Sequence, residues 1–345
     1  MTHDLTRYER QMKYPPLGEE GQRKLCAARV LLCGCGALGS VLANTLVRAG
    51  VGFLRIADRD FLELNNLQRQ VLFDEADVAN CLPKSIAAAD KLRQINSTVE
   101  IEPHVTDVDH TNIAKLCENI DLILDGTDNF ETRFLVNDAA IKFGIPWVYG
   151  GCLGDDGQTM TILPGQTPCL HCLMIDGPPL PGTTPTCDTA GILSPIINVI
   201  ASLQANEALK ILSGNSDKIS RVLNVFELWD NRIRQINLAG LQDNIECPTC
   251  QRREFPWLEG KLGSHTAVLC GRNSVQLSFP ERPQLSLEDL ASKLAGTGNV
   301  RCSKFMLRCE MPAHTLTLFP DGRAIISGTE DIAEAKSLYA KYVGN

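Results

Sequence analysis

The sequence RVLLCGCGALG, residues 29–39, places a strongly apolar segment directly before three glycines. The apolar run Arg29–Cys33 predicts a buried parallel strand, and the residues after the loop predict the start of a helix. In such a loop Gly34 allows a tight turn, Gly36 lets the backbone approach a phosphate, and Gly39 lets the helix pack closely on the strand. This unit predicts nucleotide binding. By itself it is also typical of dinucleotide-binding proteins, and a strand–helix turn without a ligand is the other alternative.

The alternation of strands and helices continues on both sides of this unit. A helix is predicted over 18–27, a second one over 37–49, and a strand over 53–57 that completes a βαβ unit. Further strands are predicted over 98–104, 121–125 and 147–149, and further helices over 83–96, 109–118 and 129–143, with Asn129 as an N-cap. Repeated α/β alternation predicts a Rossmann-like, doubly wound, mostly parallel sheet that binds its ligand at the carboxyl ends of the strands.

The pattern changes after residue 151. A strand over 158–163, the proline- and glycine-rich stretch GPPLPGTTPT at 177–186, a helix over 194–213 and a hairpin over 221–238 follow. The tail adds a strand over 266–279, a helix over 287–294, two strands around Pro320-Asp321-Gly322 and a helix over 331–343. We therefore expect two domains: residues 1–254, which carry the glycine loop, and residues 255–345, a small α+β domain with the order βαββα.

The composition is that of an ordinary globular protein and allows two domains: 345 residues, 44% hydrophobic and 21% charged. The formal net charge of -8 disfavours nucleic acid or an anionic membrane as the main partner. No apolar run approaches the roughly 20 residues of a transmembrane helix. The N-terminal MTHDLTRYERQ lacks the apolar core of a signal peptide. We expect a cytoplasmic protein with neither a membrane nor a nucleic-acid partner.

The segment DRDFLELNNLQRQ, residues 58–70, adds polar groups that favour ATP phosphates over a hydride-transfer cofactor. Asp58 ends the second strand, where a carboxylate can accept hydrogen bonds from ribose hydroxyls. Arg69 and Lys84 suit phosphate, because arginine binds it bidentately and lysine acts as a mobile point charge. Two carboxamide side chains lie in the same loop, Asn66 and Gln70. A solvated arginine or lysine on a surface loop is the simpler alternative.

Asp128 follows the strand predicted over 121–125, in the sequence DGTDN. Ligand-facing residues collect at the carboxyl ends of such strands. The Asp128 carboxylate could hold magnesium, which binds one or two carboxylates together with substrate phosphates. Alternatively, it is an acid at a helix N-terminus, where the helix dipole favours a negative charge.

Two CxxC pairs stand out among the fourteen cysteines: CLHC, with Cys169 and Cys172, and CPTC, with Cys247 and Cys250. Their spacing predicts a structural site of four thiolates that binds zinc and clips distant segments together. Such a closed site leaves no position open for catalysis. Redox activity fits less well, because neither pair opens a thioredoxin-like βα unit. His171, inside the first pair, is expected to be a bystander.

Cys187 lies between the proline- and glycine-rich stretch and a helix. An exposed and mobile setting can stabilise a thiolate, which could act as the nucleophile that takes an acyl or sulfur-linked intermediate. An incidental loop cysteine is the alternative.

Together these residues resemble the MoeB/ThiF family, bacterial relatives of the ubiquitin-activating enzymes. The resemblance covers about residues 5–250 and rests on RYERQ (7–11), GCGALG (34–39), ADRD (57–60), NLQRQ (66–70), Lys84, TDN (127–129), both CxxC pairs and TCDTAGIL (186–193). It implies an adenylyltransferase that uses ATP and magnesium. The implied substrate is the C-terminal glycine of a ubiquitin-like sulfur-carrier protein that ends in Gly-Gly, and pyrophosphate is released.

The resemblance also implies a role for each matching residue. The nucleotide roles are Asp58 at the ribose, Asn66, Arg69 and Lys84 at the triphosphate, Asp128 at magnesium, and Arg10 reaching across a homodimer to the partner's phosphates. The four cysteines of the CxxC pairs would ligate structural zinc, and Cys187 matches the reactive-cysteine position, where thioester or persulfide chemistry would occur.

The tail departs from the longer family members, many of which carry a rhodanese domain with a reactive cysteine in its active loop. Here Cys270, Cys302 and Cys309 lie on predicted strands, so the sequence does not predict sulfur transfer by the tail. We expect the tail to dock the carrier protein, a sulfur donor or another partner.

Three other functions stay open at this point. They are activation of a ubiquitin-like protein for protein modification, an NAD(P)-dependent oxidoreductase, and a non-catalytic zinc-bearing scaffold. The last two do not account for NLQRQ, Lys84 and TDN together.

Overall fold

The structure, a computed structural model, describes residues 4–179, 187–242, 245–262, 266–269, 273–277 and 285–344. The chain forms two compact units, Met1–Pro181 with Gly191–Leu262, and Gly182–Ala190 with Gly263–Asn345. Among the described residues, no helix is both long and apolar enough to cross a membrane.

The first unit is built on one eight-stranded sheet. Its strands are β1 (Arg29–Cys33), β2 (Phe53–Ala57), β3 (Glu100–His104), β4 (Leu122–Asp125), β5 (Trp147–Leu153), β6 (Asp156–Ile162), β7 (Val222–Glu227) and β8 (Arg232–Asn237). Their order is β3-β2-β1-β4-β5-β6-β7-β8. The first five pair in parallel, and β6, β7 and β8 continue the sheet antiparallel. The predicted Rossmann-like, mostly parallel sheet is confirmed.

Ten helices precede the tail among the described residues. They are α1 (Glu9–Met12), α2 (Gly18–Ala27), α3 (Ala37–Ala49), α4 (Glu75–Ala79), α5 (Lys84–Ile95), α6 (Ile113–Leu116), α7 (Phe130–Phe143), α8 (Leu170–Leu173), α9 (Cys187–Ala190) and α10 (Ser194–Leu212). Short 3-10 turns cover Thr6–Tyr8, Leu64–Asn66 and Ser216–Lys218. Asn129 caps α7 as predicted, because its side-chain oxygen accepts a hydrogen bond from Thr132 N at 2.8 Å.

Helices cover both faces of the sheet, which explains the unbroken apolar run of β1. Val30 and Leu32 belong to the core formed with α3, α5 and α10, whereas Leu31 and Cys33 belong to the core formed with α6, α7 and α8. Successive residues of a strand point to opposite faces, so a strand covered on both faces needs apolar residues throughout. The doubly wound arrangement places the ends of β1, β2 and β4 at one edge of the sheet.

The described residues of the second unit form a six-stranded sheet and three helices, one of which is the short α9 of the Gly182–Ala190 segment. Its other elements are β9 (Thr266–Leu269), β10 (Ser274–Leu277), α11 (Leu287–Leu294), β11 (Asn299–Cys302), β12 (Leu307–Glu310), β13 (Thr315–Leu318), β14 (Ala324–Ser327) and α12 (Ile332–Tyr342). All neighbours in the order β11-β12-β13-β14-β10-β9 pair antiparallel. Leu307, Cys309, Leu316 and Leu318 alternate with more exposed residues, so one face of the sheet is buried.

The observed order of the tail, ββαββββα, has three strands more than the predicted βαββα. The predicted strand over 266–279 is a pair of short strands. The predicted order also left out β11 and β12, although Cys302 and Cys309 were expected on strands and do lie on these two, because four-residue strands carry little periodicity. Phe255 and Trp257 are buried in the core of the first unit. The first unit therefore extends past residue 254, the boundary that the sequence pattern predicted.

Candidate active site

The glycine loop joins β1 to α3 through close backbone contacts. Gly34 has a φ of 85°, and a Cβ on it would lie 2.6 Å from the Gly126 carbonyl oxygen. A Cβ on Gly39 would lie 2.1 Å from the Gly34 carbonyl oxygen. Gly36 differs, because the nearest atom to its added Cβ is Gln70 Nε2 at 3.9 Å. Gly36 thus leaves open space above the N-terminus of α3, where backbone amides and the helix dipole favour a phosphate.

Asp58 lies directly after β2 and is held against this loop. Its carboxylate oxygens accept hydrogen bonds from Cys35 N at 2.6 Å and from Asp60 N at 2.7 Å. Burial raises the pKa of Asp58 to about 6, although the charge of Lys84 opposes the shift. Each oxygen keeps a second lone pair, so Asp58 can also accept from ribose hydroxyls.

Lys84 is brought to the same edge by an ion pair that the sequence reasoning missed. Its side chain is 6% exposed, and Nζ lies 2.9 Å from Asp60 Oδ2. Arg59 pairs with Asp107 at 2.7 Å. Burial acts to lower the pKa of Arg59, but the charges of Asp107, Asp60 and Asp128 outweigh it and raise that pKa. Arg59 and Asp60 could have been suspected, because they directly follow the strand that ends in Asp58.

The loop after β2 turns back over the glycine loop. Asn66 is buried, and its Oδ1 accepts from Glu63 N at 3.1 Å while Nδ2 donates to Asn65 Oδ1 at 2.9 Å. Arg69 is half-buried and donates from Nη1 to Asn65 O at 2.8 Å. Asn66 therefore fixes the turn in the free protein, and this turn positions Arg69.

A buried ion pair organises the loop that carries Asp128. Arg133 Nε lies 3.1 Å from Asp125 Oδ2, and Arg133 Nη2 donates to Thr127 O at 2.8 Å. Asp125 also accepts from Thr127 N at 2.9 Å. Asp128 is exposed. Its charge contributes to the raised pKa of Arg59, which connects it electrostatically to the β2 end. Sequence reasoning missed Asp125 and Arg133, although a charge ending an apolar strand was a usable signal.

Arg10 is exposed and lies away from these groups within one chain. Its neighbour Gln11 donates from Nε2 to Ala49 O at 3.0 Å, at the C-terminal end of α3. The glycine loop is at the opposite end of this 13-residue helix. At 1.5 Å per residue the two ends are about 20 Å apart. Arg10 is therefore not brought to the glycine loop of its own chain.

The four CxxC cysteines lie together in the first unit, with their Sγ atoms within 4.8 Å of one another. Neighbouring Sγ–Sγ distances are 3.8 Å for Cys169–Cys172, 3.7 Å for Cys169–Cys247 and 3.4 Å for Cys172–Cys250. A tetrahedral zinc with four Zn–S bonds of about 2.3 Å requires Sγ–Sγ distances of about 3.8 Å. The cluster thus fits a zinc ion. His171 does not belong to it and shares a 2.8 Å hydrogen bond with Thr249 Oγ1 instead.

Cys187 is the first residue of α9, and its side chain lies outside the described residues. The backbone just beyond α9 is fixed to the turn between β5 and β6. Gly154 N donates to Gly191 O at 2.9 Å, and Leu193 N donates to Gly154 O at 2.8 Å. Residues 191–193 are thus anchored where β5 ends.

Comparisons with known proteins give a family match and several similar proteins. The model of the ThiF family matches residues 8–249. The chain is similar to the sulfur carrier protein ThiS adenylyltransferase of Bacillus subtilis, with 46% identity over 339 residues, 98% of this chain and 99% of that protein. It is also similar to the sulfur carrier protein adenylyltransferase of Thermus thermophilus, with 37% identity over 72% of this chain and 91% of that protein. Among solved structures, E. coli MccB with ATP has a similar fold, with a TM-score of 0.59, 25% identity and coverage of 68% of this chain and 72% of that chain.

We propose that Asp58 binds ribose, so the binding of adenosine should depend on pH. With a pKa of about 6, its carboxyl is mostly protonated near pH 5 and mostly ionised near pH 7. The ionised form is the better acceptor, so affinity for adenosine should rise roughly tenfold over this range. Calorimetric titration with adenosine, which lacks a titrating phosphate, measures this. Asp58→Asn should bind weakly at every pH. An equal wild-type affinity at both pH values would contradict the assignment.

Proposed function

We propose that this chain, which belongs to the ThiF family, is an ATP-dependent adenylyltransferase that activates the C-terminal glycine of a ubiquitin-like sulfur-carrier protein. One observation carries the proposal. The glycine loop, the Asp58 carboxylate and the buried cation Lys84 converge on one edge of a sheet, in a chain similar over nearly its whole length to an enzyme of that name. The same similarity favours this activity over the alternatives.

The reaction requires the protein mainly to bind and position its substrates. The carrier's terminal carboxylate attacks the α-phosphate of ATP, a new oxygen–phosphorus bond forms, and the bond to pyrophosphate breaks. A carboxylate is already ionised at neutral pH, so no strong general base is needed. The reaction therefore depends on in-line positioning and on neutralisation of phosphate charge.

The residues at the sheet edge supply these two functions. Asp58 holds the ribose, and the amides above Gly36 hold phosphate oxygens. Lys84 and Arg69 neutralise the triphosphate, and the pairing of Lys84 with Asp60 fixes its position before the nucleotide binds. Asp128 would hold a magnesium ion, which supplies further positive charge at the phosphates.

Two further parts of the proposal concern the adduct and the assembly. Cys187 takes the activated acyl group: its thiolate attacks the adenylate carbonyl, a thioester forms and AMP leaves. Arg10 acts on the phosphates bound by a second copy of the chain, because its neighbour Gln11 contacts the end of α3 that is about 20 Å from the glycine loop of its own copy. The second unit docks the carrier protein or a sulfur donor.

The function is tested by exchange of labelled pyrophosphate into ATP. Exchange should require a carrier protein that ends in Gly-Gly. Asp128→Ala should lower it about 100-fold or more while circular dichroism shows the fold retained, because a charge-neutralising ion is lost. Asp217→Ala, at an exposed acid paired with Lys218, is the matched control and should not change exchange. Exchange absent with every candidate carrier ending in Gly-Gly would refute the function, and nicotinamide binding instead would favour the oxidoreductase.

Mixing two inactive variants tests the role of Arg10. Arg10→Ala and Asp128→Ala should each be inactive alone. If Arg10 acts in the partner's site, each mixed dimer holds one intact site, and random mixing restores about a quarter of wild-type exchange. Co-refolding followed by the exchange assay measures this. No recovery in verified mixed dimers would mean that Arg10 does not act across an interface.

We propose that the four-cysteine cluster holds structural zinc. The purified chain should contain about one zinc per molecule, and Cys247→Ser should lower both zinc content and thermal stability, because a structural metal site contributes folding energy directly. Elemental analysis and thermal unfolding measure the two effects. Cys302→Ser, at an exposed cysteine of the second unit, should leave zinc content unchanged. A stably folded wild-type protein without zinc would disprove this site.

A further inference from the structure

Gln70 is a buried polar residue, and no side-chain hydrogen bond among the described residues accounts for its burial. It is 3% exposed, and its Oε1 is buried without a hydrogen bond among the described residues. Its backbone is fully used, since N donates to Asn66 O at 3.0 Å and O accepts from Phe73 N at 3.2 Å. The chain is therefore fixed at this position while the carboxamide is not.

Gln204, another buried glutamine, has a structural role in this fold and serves as a comparison with Gln70. It is fully buried and its Oε1 also lacks a hydrogen bond, but its Nε2 donates to Asp125 O at 2.9 Å and to Val148 O at 3.2 Å. Those bonds tie α10 to the sheet. Gln70 makes no comparable bridge. Leaving the buried side-chain oxygen of Gln70 without a donor destabilises the fold, and such unsatisfied groups concentrate at functional sites.

The Gln70 carboxamide faces the open space above Gly36. Its Nε2 is 3.9 Å from the position of a Cβ added to Gly36, and no other described atom outside residues 35–37 lies within 4 Å of that position. A ligand oxygen in this space, close to the amides of the α3 N-terminus, is within reach of Nε2. Arg69, the preceding residue, is already a phosphate-binding candidate, so the same turn presents a cation and a neutral donor side by side.

We propose that Gln70 is a nucleotide-contacting residue whose Nε2 donates a hydrogen bond to a phosphate oxygen of ATP above Gly36. This inference rests on the proposed function for the identity of the nucleotide. A neutral donor suits this position because it can contact the phosphate without adding a positive charge. The nearby carboxylates are already engaged, since Asp58 accepts from backbone amides and Asp60 pairs with Lys84.

The test compares affinity with stability in Gln70→Met, which keeps the side-chain length and removes both polar atoms. The dissociation constant of α,β-methylene ATP should rise roughly tenfold, because a hydrogen bond to a charged group is lost. Affinity for adenosine, which has no phosphate, should stay unchanged. The thermal midpoint should stay the same or rise, because a buried unpaired acceptor is removed. Calorimetry without any carrier protein and thermal unfolding measure these values.

Two further variants complete the test, one for the case that Gln70→Met folds poorly and one as a control. Gln70→Glu places a negative charge near the phosphates and should weaken the ATP analogue more than adenosine, even if the methionine variant folds poorly. Gln94→Met, at an exposed position on α5, should change nothing. Wild-type affinity of Gln70→Met for the analogue, or equal losses for both ligands, would overturn the inference. Failure of the proposed function would appear separately, as wild-type protein that binds the analogue but never exchanges pyrophosphate.

Discussion

The contact among three backbone segments at the glycine loop is the constraint on which the first unit depends. A Cβ added to Gly39 would lie 2.1 Å from the Gly34 carbonyl oxygen, and a Cβ added to Gly126 would lie 2.4 Å from the same oxygen. Only glycines allow this approach, which brings the start of α3 and the loop after β4 against the end of β1. The helix amides and Asp128 consequently lie at the same edge of the sheet.

The charged groups at that edge are arranged before any nucleotide arrives. Buried charges are tolerated when they are paired, and the pairs Lys84–Asp60 and Arg133–Asp125 satisfy this condition. The pairing also restricts the side chains and their loops, so phosphates would meet groups that need little reorganisation. Gln70 adds a neutral group at this edge, and its Oε1 is buried without a hydrogen bond among the described residues.

Polar contacts also hold the segment beyond the sheet. Cys169 and Cys247 are 78 positions apart in the chain, and their Sγ atoms lie 3.7 Å from each other. Asp138 on α7 accepts hydrogen bonds from Trp257 N at 3.0 Å and Leu258 N at 3.3 Å, and burial raises the pKa of Asp138 to about 7. The cluster of four cysteines and one buried acid together hold the chain that follows β8, and this explains why the first unit continues past residue 254.

Local pattern in the sequence determined the strands and the longer helices of the first unit, but not its short helices α1, α4 and α8. It also determined the cap at Asn129, the glycine loop and the cysteine pairs. Each depends on residues close in sequence or on a characteristic spacing, so periodicity and side-chain chemistry reveal it. Only the tertiary structure decided the Asp60–Lys84 and Asp125–Arg133 pairs, the distance of Arg10 from the glycine loop, and the order of the six strands in the tail. These features join residues or strands that become neighbours only when the sheet is assembled, and no local pattern encodes which ones will meet.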